Sequence, residues 1–359
     1  MAEADGVGAF LHNLGNLDSG LFYYQMDNIR SSHMVKIGRL DPAEVIRTLK
    51  PTLKRYDGKG VPFQGLNVGN AKNLSYDVLE KITNKFCSEN FIQEVRHGRL
   101  FRGFIDAGQE GQREVTVKTW DFVFPGVHSY DTYPRKFRDE IILLERSEIK
   151  SHPFLVELFG FCFEKKLAVV YDLKFNTPLC ELLTSAEFGW KERMKVATDY
   201  ALLLKTLSRE QFDLSCNGSE DIIIIDKEYN IKLVDFSLYA FPQTLGIRYS
   251  ATTSDNTFIP KAYAFELGVL LLELITKKER AWKSERHPGY YISKMNQSSI
   301  VAESFEIDAD TGTTITQLIQ SCVNHVDERP DIDRVFDKLV SITGYRPAVS
   351  DSYPWIDSL

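Results

Sequence analysis

Asp221-Ile-Ile-Ile-Ile-Asp-Lys-Glu-Tyr-Asn-Ile-Lys-Leu-Val-Asp-Phe-Ser237 is the stretch that decides how this chain folds. Residues 222–225 form a β-branched run that reads as a buried strand, 226–230 supply turn residues, and 231–234 read as a second short strand. Asp235 stands where that strand ends, followed by Phe236 and Ser237. A single Asp after a strand is more often a turn residue or a helix cap. The same strand–strand–Asp–Phe–small order also serves to present a metal-binding carboxylate to nucleotide phosphates. The segments on either side decide between the two.

Upstream, residues 91–95, 99–105 and 113–120 are predicted as three successive strands, and 135–149 as a helix carrying Phe137, Ile141 and Leu144 on one face. Strand-like runs at 156–162 and 167–173 complete a small, mostly antiparallel sheet. Residues 74–86 read as a helix capped by Ser75, with Val78, Leu79 and Ile82 on one face. After Asn176-Thr-Pro178 the pattern turns helical. Residues 190–207 place Met194, Ala197, Ala201 and Leu204 on one face, and 262–275 are apolar nearly all round, the mark of a helix inside a domain. Two more helices are predicted near 313–323 and 331–342. The fold class is α+β: a β-rich lobe, then an α-rich lobe, joined near residue 174. Residues 1–70 mix glycines with short apolar bursts and one helical pattern at 42–55. Phe22, Tyr23 and Tyr24 would be costly to leave in water, which favours an extension docked on the domain.

Composition sets limits on partners and compartment. The chain of 359 residues suits one large domain or two ordinary ones, and 43% hydrophobic with 26% charged residues is the balance of a globular protein. A net charge of −7 argues against nucleic acid as a partner. The five cysteines (Cys87, Cys162, Cys180, Cys216, Cys322) contain no C-x-x-C pair, which suits a reducing compartment better than a disulfide framework or a zinc site. Neither a signal peptide nor a myristoylation signal is visible at the start, and 262–275 is too short to cross a bilayer and contains Glu266 and Glu273. The expectation is a cytosolic protein.

Three segments carry a family resemblance. Leu74-Ser-Tyr-Asp-Val-Leu-Glu-Lys-Ile-Thr-Asn-Lys-Phe86 is similar to the helix that precedes the kinase lobe in plant receptor-like cytoplasmic kinases. Trp190-Lys-Glu-Arg-Met-Lys-Val-Ala197 resembles their W-x-x-R-x-x-I-A helix. Cys322 through Asp-Glu-Arg-Pro-Asp-Ile-Asp-Arg-Val335 resembles their closing C…R-P-x-M-x-x-V segment. Together with the central hairpin, in this order, they cover roughly 74–343. The resemblance implies the two-lobed protein kinase fold, with an N-terminal extension at 1–73, a small lobe at 74–173, a large lobe at 174–345 and a tail at 346–359.

It also implies where each catalytic part should lie. The glycine-rich turn that closes over phosphates corresponds to Ile92-Gln-Glu-Val-Arg-His-Gly-Arg-Leu100, in which Gly98 remains while Gln93 and Val95 fill the other glycine positions and Glu94 brings a negative charge. Val115-Thr-Val-Lys118 matches the strand of the phosphate-binding lysine. Lys118 then calls for an anion, and Glu140 on the following helix is the natural partner; the plainer reading is a surface lysine on an edge strand. Tyr171-Asp-Leu173 fits the hinge, with Tyr171 guarding the nucleotide pocket, and Asp235 is the metal-binding and cofactor-binding carboxylate.

The catalytic loop departs most from the pattern. Gln211-Phe-Asp-Leu-Ser-Cys-Asn-Gly-Ser-Glu-Asp221 aligns in two ways: on Asp213, where Gln and Phe replace His and Arg and no Lys follows, or on the hairpin, where Cys216 takes the base position and Asp221 replaces the metal-binding Asn. Asp213 is the one candidate base, and a turn or cap carboxylate is its simpler reading. Ser237 replaces the glycine after Asp-Phe, no Ala-Pro-Glu precedes the 262–275 helix, Arg329 is left without that glutamate, and Tyr263 stands near an anchoring Asp position.

The resemblance therefore implies a pseudokinase, a protein-binding adaptor or decoy beside plant immune receptors, receptor kinases or pathogen effectors. It would be cytoplasmic, reaching the plasma membrane only through partners, with at best weak binding of ATP and magnesium. The alternatives are a weak serine/threonine kinase using Lys118, Glu140 and Asp235, and a switch that binds ATP without turnover. The aromatic stretch 120–133 (Trp120, Phe122, Phe124, Tyr130) and residues 1–70 are the expected interaction surfaces, packing on the small lobe being the plainer reading of the aromatics.

Overall fold

The computed structural model describes residues 71–95, 98–106, 108, 111–120, 137, 140–141, 143–145, 150, 152–209, 213–214, 223–234, 238–239, 258–278 and 287–347. These fall into two compact units, one made of the residues up to Glu145 with Leu158–Leu173, the other of residues 150–157 and the chain from Lys174 onward.

The first unit is built on a six-stranded sheet of β1 (Lys72–Asn73), β2 (Phe91–Val95), β3 (Gly98–Asp106), β4 (Gln112–Trp120), β5 (Leu158–Phe163) and β6 (Leu167–Tyr171), in the order β1-β5-β6-β4-β3-β2. β3 and β4 pair antiparallel along nearly their whole length, from Arg99 opposite Thr119 to Asp106 opposite Gln112. β4 is an interior strand, buried from Val115 to Trp120, so the edge-strand reading of Lys118 is excluded. On one face Phe101, Ile105, Val115, Val117, Cys162, Ala168 and Val170 pack with Leu79 and Ile82 of α1 (Tyr76–Ile82).

Two sequence expectations change here. The Ser75 hydroxyl caps α1 as expected, accepting from the Val78 N–H. Val78, however, is 40% exposed rather than facing the sheet with Leu79 and Ile82. The helix also ends at Ile82, four residues before the predicted end, because Asn84, Lys85 and Phe86 all take left-handed backbone angles (φ 51°, 57° and 55°). Such angles are unfavourable for side chains with a Cβ. The turn is held by the Lys85 N–H on Glu80 O (2.6 Å), the Thr83 hydroxyl on Leu79 O (2.7 Å) and the edge of Phe86 against Phe101.

β1 was not foreseen. Lys72 and Asn73 pair parallel with Gly160 and Phe161, and the Leu74 N–H donates to Phe161 O at 2.8 Å. Gly160 makes room for this strand: a Cβ there would stand 2.7 Å from Lys72 O and 3.0 Å from the Leu74 side chain.

The second unit is helical: α2 (Leu179–Leu182), α3 (Trp190–Arg209), α4 (Phe258–Thr276), α5 (Pro288–Met295), α6 (Ala309–Cys322) and α7 (Ile332–Thr343). α4 buries Tyr263, Ala264, Leu267 and nearly every residue from Val269 to Thr276, as its all-round apolar pattern requires. α5 was not predicted; His287 caps it, its Nδ1 accepting from the Gly289 N–H at 3.1 Å. The central hairpin forms as β9 (Ile223–Ile225) and β10 (Ile231–Leu233), antiparallel, with β7 (Thr177–Pro178) paired on the other side of β9 and Asp226 Oδ1 accepting from the Glu228 and Asn230 N–H groups across the turn. Next to the hairpin, Leu155 bridges to Leu233, and the Lys232 ammonium donates to Leu155 O at 3.1 Å.

His152 lies beside that bridge, 2% exposed, with the Phe154 N–H donating to its Nδ1 at 3.3 Å. Burial, and secondarily the charge of Lys232, push its pKa from 6.5 down to about 3. The folded state therefore keeps His152 neutral, and its contribution is complete above the unfolded pKa. As pH falls from 6.5 towards about 3, the unfolded chain takes up a proton that the folded chain refuses. Stability should fall by about 1.4 kcal/mol per pH unit from this group. Urea unfolding between pH 6.5 and 5, where most carboxylates stay ionised, should show a slope that steepens from about half that value at pH 6.5 to nearly the full value at pH 5, and His152→Leu should remove that increment. Equal slopes in the two proteins would remove His152 as the source.

Candidate functional site

Alternation along β4 sends Val115 and Val117 to the α1 face and Thr116, Lys118 and Trp120 to the other. Across the ladder, Thr116 lies opposite Tyr171 and Lys118 opposite Val169. The helical segment that carries Phe137, Glu140, Ile141 and Leu144, all buried, supplies the carboxylate. Lys118 Nζ is 2.6 Å from Glu140 Oε2, with side-chain exposures of 1% and 0%. The Tyr171 hydroxyl donates to the other oxygen, Oε1, and Tyr171 is itself fully buried. Both oxygens of Glu140 are thus engaged from the sheet, and the ammonium lies 4.2 Å from the centre of the Trp120 ring.

An ion pair of this kind has lost its hydration and holds only because partners replace the water. The anticipated pairing of Lys118 with Glu140 is therefore present, and Tyr171 joins it directly. Leu173 enters through its backbone: its carbonyl accepts from the Thr116 hydroxyl at 2.8 Å, while neighbouring Asp172 pairs with Arg113 at 3.0 Å.

Gly98 sits where β3 starts, and its need for glycine comes from the sheet. A Cβ would stand 1.8 Å from Thr119 O, so no other residue lets β3 approach β4 at that point. Glu94 is exposed on β2, opposite Arg99.

Asp235, Cys216 and Asp221 lie outside the described residues. Asp213 is placed by its backbone alone, in β8 (Asp213–Leu214), opposite Tyr239 of β11 (Leu238–Tyr239). Of the aromatics expected at a surface, Trp120 is corrected: it is the last residue of β4 and fully buried, against Phe137 at 5.4 Å. Phe122, Phe124, Tyr130 and residues 1–70 lie outside the described residues. Among the described residues no cluster of three or more His, Cys, Asp or Glu could hold a metal ion, and no helix is long and apolar enough to cross a membrane.

In the second unit two arginines do structural work. Arg329 has no Ala-Pro-Glu glutamate, but its Nε donates to Asn324 O at 2.7 Å, its guanidinium lies over Phe265 at 4.4 Å, and the charge of Glu266 acts on it. Arg193 of the Trp190 helix is buried completely and donates to Phe188 O, Leu274 O and Leu183 O at 2.7, 2.9 and 2.6 Å.

A sheet-based unit bearing a buried lysine–glutamate pair, followed by a helical unit, is the arrangement of protein kinases. The profile of the family described as protein tyrosine and serine/threonine kinase matches residues 87–339, and the chain belongs to that family. Among its relatives, a receptor-like cytoplasmic kinase of Gossypium barbadense named EPD1-interacting receptor-like cytoplasmic serine/threonine-protein kinase 5D is 28% identical over 308 residues, covering 76% of this chain and 64% of that one. Cysteine-rich receptor-like protein kinase 44 of Arabidopsis thaliana is 22% identical over 264 residues, covering 66% and 65%. The chain spans less than two thirds of the length of these relatives. A solved structure described as an apo pseudokinase shares the fold, with a TM-score of 0.56 at 18% identity over 78% of this chain and 99% of that one. Members of this family ordinarily bind ATP with magnesium.

Proposed function

We propose that this chain is a pseudokinase that works as a protein-binding adaptor or decoy beside plant receptor kinases or immune receptors. The observation that carries the reading is the state of Lys118. Its ammonium is 1% exposed and committed to Glu140, whose second oxygen is taken by Tyr171. The ammonium has three donors, but at 1% exposure and with the Trp120 ring 4.2 Å away an anion could reach it only if what covers it moved aside. This covered lysine supports the reading of at best weak ATP binding. Gly98 is explained by sheet packing, Glu94 adds a negative charge beside that turn, and the stretch 211–221 contains no lysine and, aligned on the hairpin, has Asp221 in place of the metal-binding asparagine. With chemistry impaired, the pair acts as a brace that fixes the small lobe for recognition by proteins.

The relatives' names support a place beside receptors in the cytoplasm, at the plasma membrane only through partners. The division into an extension at 1–73, lobes at 74–173 and 174–345 and a tail at 346–359 belongs to the same proposal, with Asp235 as a residual metal ligand. Partner recognition is assigned to residues 1–70 and 121–133.

A second reading is a weak serine/threonine kinase, and the formed Lys118–Glu140 pair favours it, since active kinases need that pair. Thermal melting with ATP, with and without magnesium, separates the two. A ligand at a hundredfold excess over Kd stabilises by about 2.7 kcal/mol, a shift of a few degrees in a chain of this size. The adaptor reading expects no shift at millimolar ATP. A magnesium-dependent shift lost in Lys118→Met would overturn it, and a phosphoryl-transfer assay would then test the kinase.

A further inference from the structure

We infer that Trp120 is a specificity-determining residue of the lysine site: its indole face holds the Lys118 ammonium on Glu140 and keeps anionic ligands away. The inference deepens the pseudokinase reading and rests on it.

The geometry is local to one sheet and one helical segment. Trp120 follows Lys118 by two residues on β4, so strand alternation puts both side chains on the same face. The ammonium lies 4.2 Å from the ring centre, within the range of a cation–π contact, which is strongest for tryptophan and for a desolvated cation. The ring itself is held edge-to-face by Phe137 at 5.4 Å and 82°, and Phe137 meets Phe161 of β5 at 6.4 Å. A buried tryptophan usually orients by finding an acceptor for its N–H. Among the described residues Trp120 Nε1 has none, so this ring is oriented by its faces: Phe137 on one contact, the lysine on another.

A lysine ammonium offers three N–H donors over a small sphere. Glu140 takes one side at 2.6 Å and the indole covers another, so the ring closes the ammonium to a phosphate oxygen from its side. Loss of the glycine pattern at the β2–β3 turn weakens a phosphate cradle passively. Trp120 acts differently, by occupying the cation.

The test uses the full chain as wild type, Trp120→Leu and Trp120→Phe. Each is acylated with N-hydroxysuccinimide acetate, and Lys118 and Lys205 are followed by peptide mass spectrometry. Lys205, 12% exposed and 3.4 Å from Asp333, reports on folding elsewhere. Lys118 should acylate slowly in the wild type and about thirtyfold faster in Trp120→Leu, the size of a desolvated cation–π contact. Trp120→Phe, which keeps a π face, should fall between, with Lys205 unchanged in both. Lys118 acylation in Trp120→Leu within twofold of wild type, with Lys205 protected, would sink the inference. If Trp120→Leu loosens Lys205 as well, Trp120→Phe decides: faster labelling confined to Lys118 supports the role, and labelling like the wild type overturns it. Magnesium-ATP melting of the same proteins keeps the two readings apart. A Lys118-dependent shift in the wild type defeats the pseudokinase reading whatever the acylation shows, whereas acylation that ignores Trp120 defeats only the role given to the indole.

Discussion

Glu140→Ala should destabilise the small lobe by about 3–5 kcal/mol, because it leaves the Lys118 ammonium buried without its counter-charge. It also takes the acceptor from the Tyr171 hydroxyl, a second desolvated polar group. The informative comparison is the double replacement Lys118→Met with Glu140→Leu. Apolar side chains of similar volume remove both charges together, and substitutions of this kind in other proteins are often neutral or stabilising. Urea unfolding should therefore show the double variant recovering most of the loss, a strong non-additivity between residues in contact. Losses that simply add would mean that the two side chains contribute separately and that the brace is not a unit. A brace of this kind can persist after phosphoryl transfer has gone, since the fold alone maintains it.

Arg193→Ala should be at least as damaging to the large lobe, about 3–5 kcal/mol. The guanidinium satisfies three backbone carbonyls, of Phe188, Leu274 and Leu183, and lies 4.5 Å from the Phe188 ring and 5.1 Å from that of Phe305. Burial pushes its pKa down to about 10, so it remains charged at neutral pH. Alanine would strand three acceptors and open a cavity. Lysine restores the charge but not the planar fork that reaches three directions, so Arg193→Lys should recover less than half of the loss. The readout is the urea midpoint at constant slope. A loss below about 1 kcal/mol for Arg193→Ala would mean that water or a shifted helix replaces the guanidinium, against the geometry seen.

The central hairpin was legible because Ile222 to Ile225 and Ile231 to Leu233 combine β-branched runs with an Asp-to-Asn turn, and those signals are local. α4 was legible for the opposite reason, an apolar run with no polar face. The Lys118–Glu140 pair could be anticipated because an otherwise apolar strand ending in lysine needs an anion. Trp120 stands both at the end of the predicted 113–120 strand and at the start of the aromatic stretch 120–133, and alternation along the strand settles it on the face of Lys118. β1 left no sequence signal: two residues paired across more than eighty positions show no period, and only Gly160 marks the contact. The end of α1 was missed although Asn84 tolerates a left-handed turn; that Lys85 and Phe86 continue it, with Phe86 edge-on to Phe101, is not a local signal. Arg193 was noticed as part of a resemblance, but the carbonyls it serves come from distant parts of the chain.

The position of β1 has a consequence for self-association. Without Lys72 and Asn73, β5 would become the bare edge of the sheet, and its sequence, Leu158-Phe-Gly-Phe-Cys-Phe163, has no charge and three aromatic rings. Uncharged, aromatic edges of this kind are templates for pairing between molecules. The family match begins at residue 87, fifteen residues after Lys72. A chain trimmed to that boundary would lose both β1 and α1, and would tend to gather with copies of itself along β5. The short strand thus occupies part of the sheet edge that another molecule's strand would otherwise take.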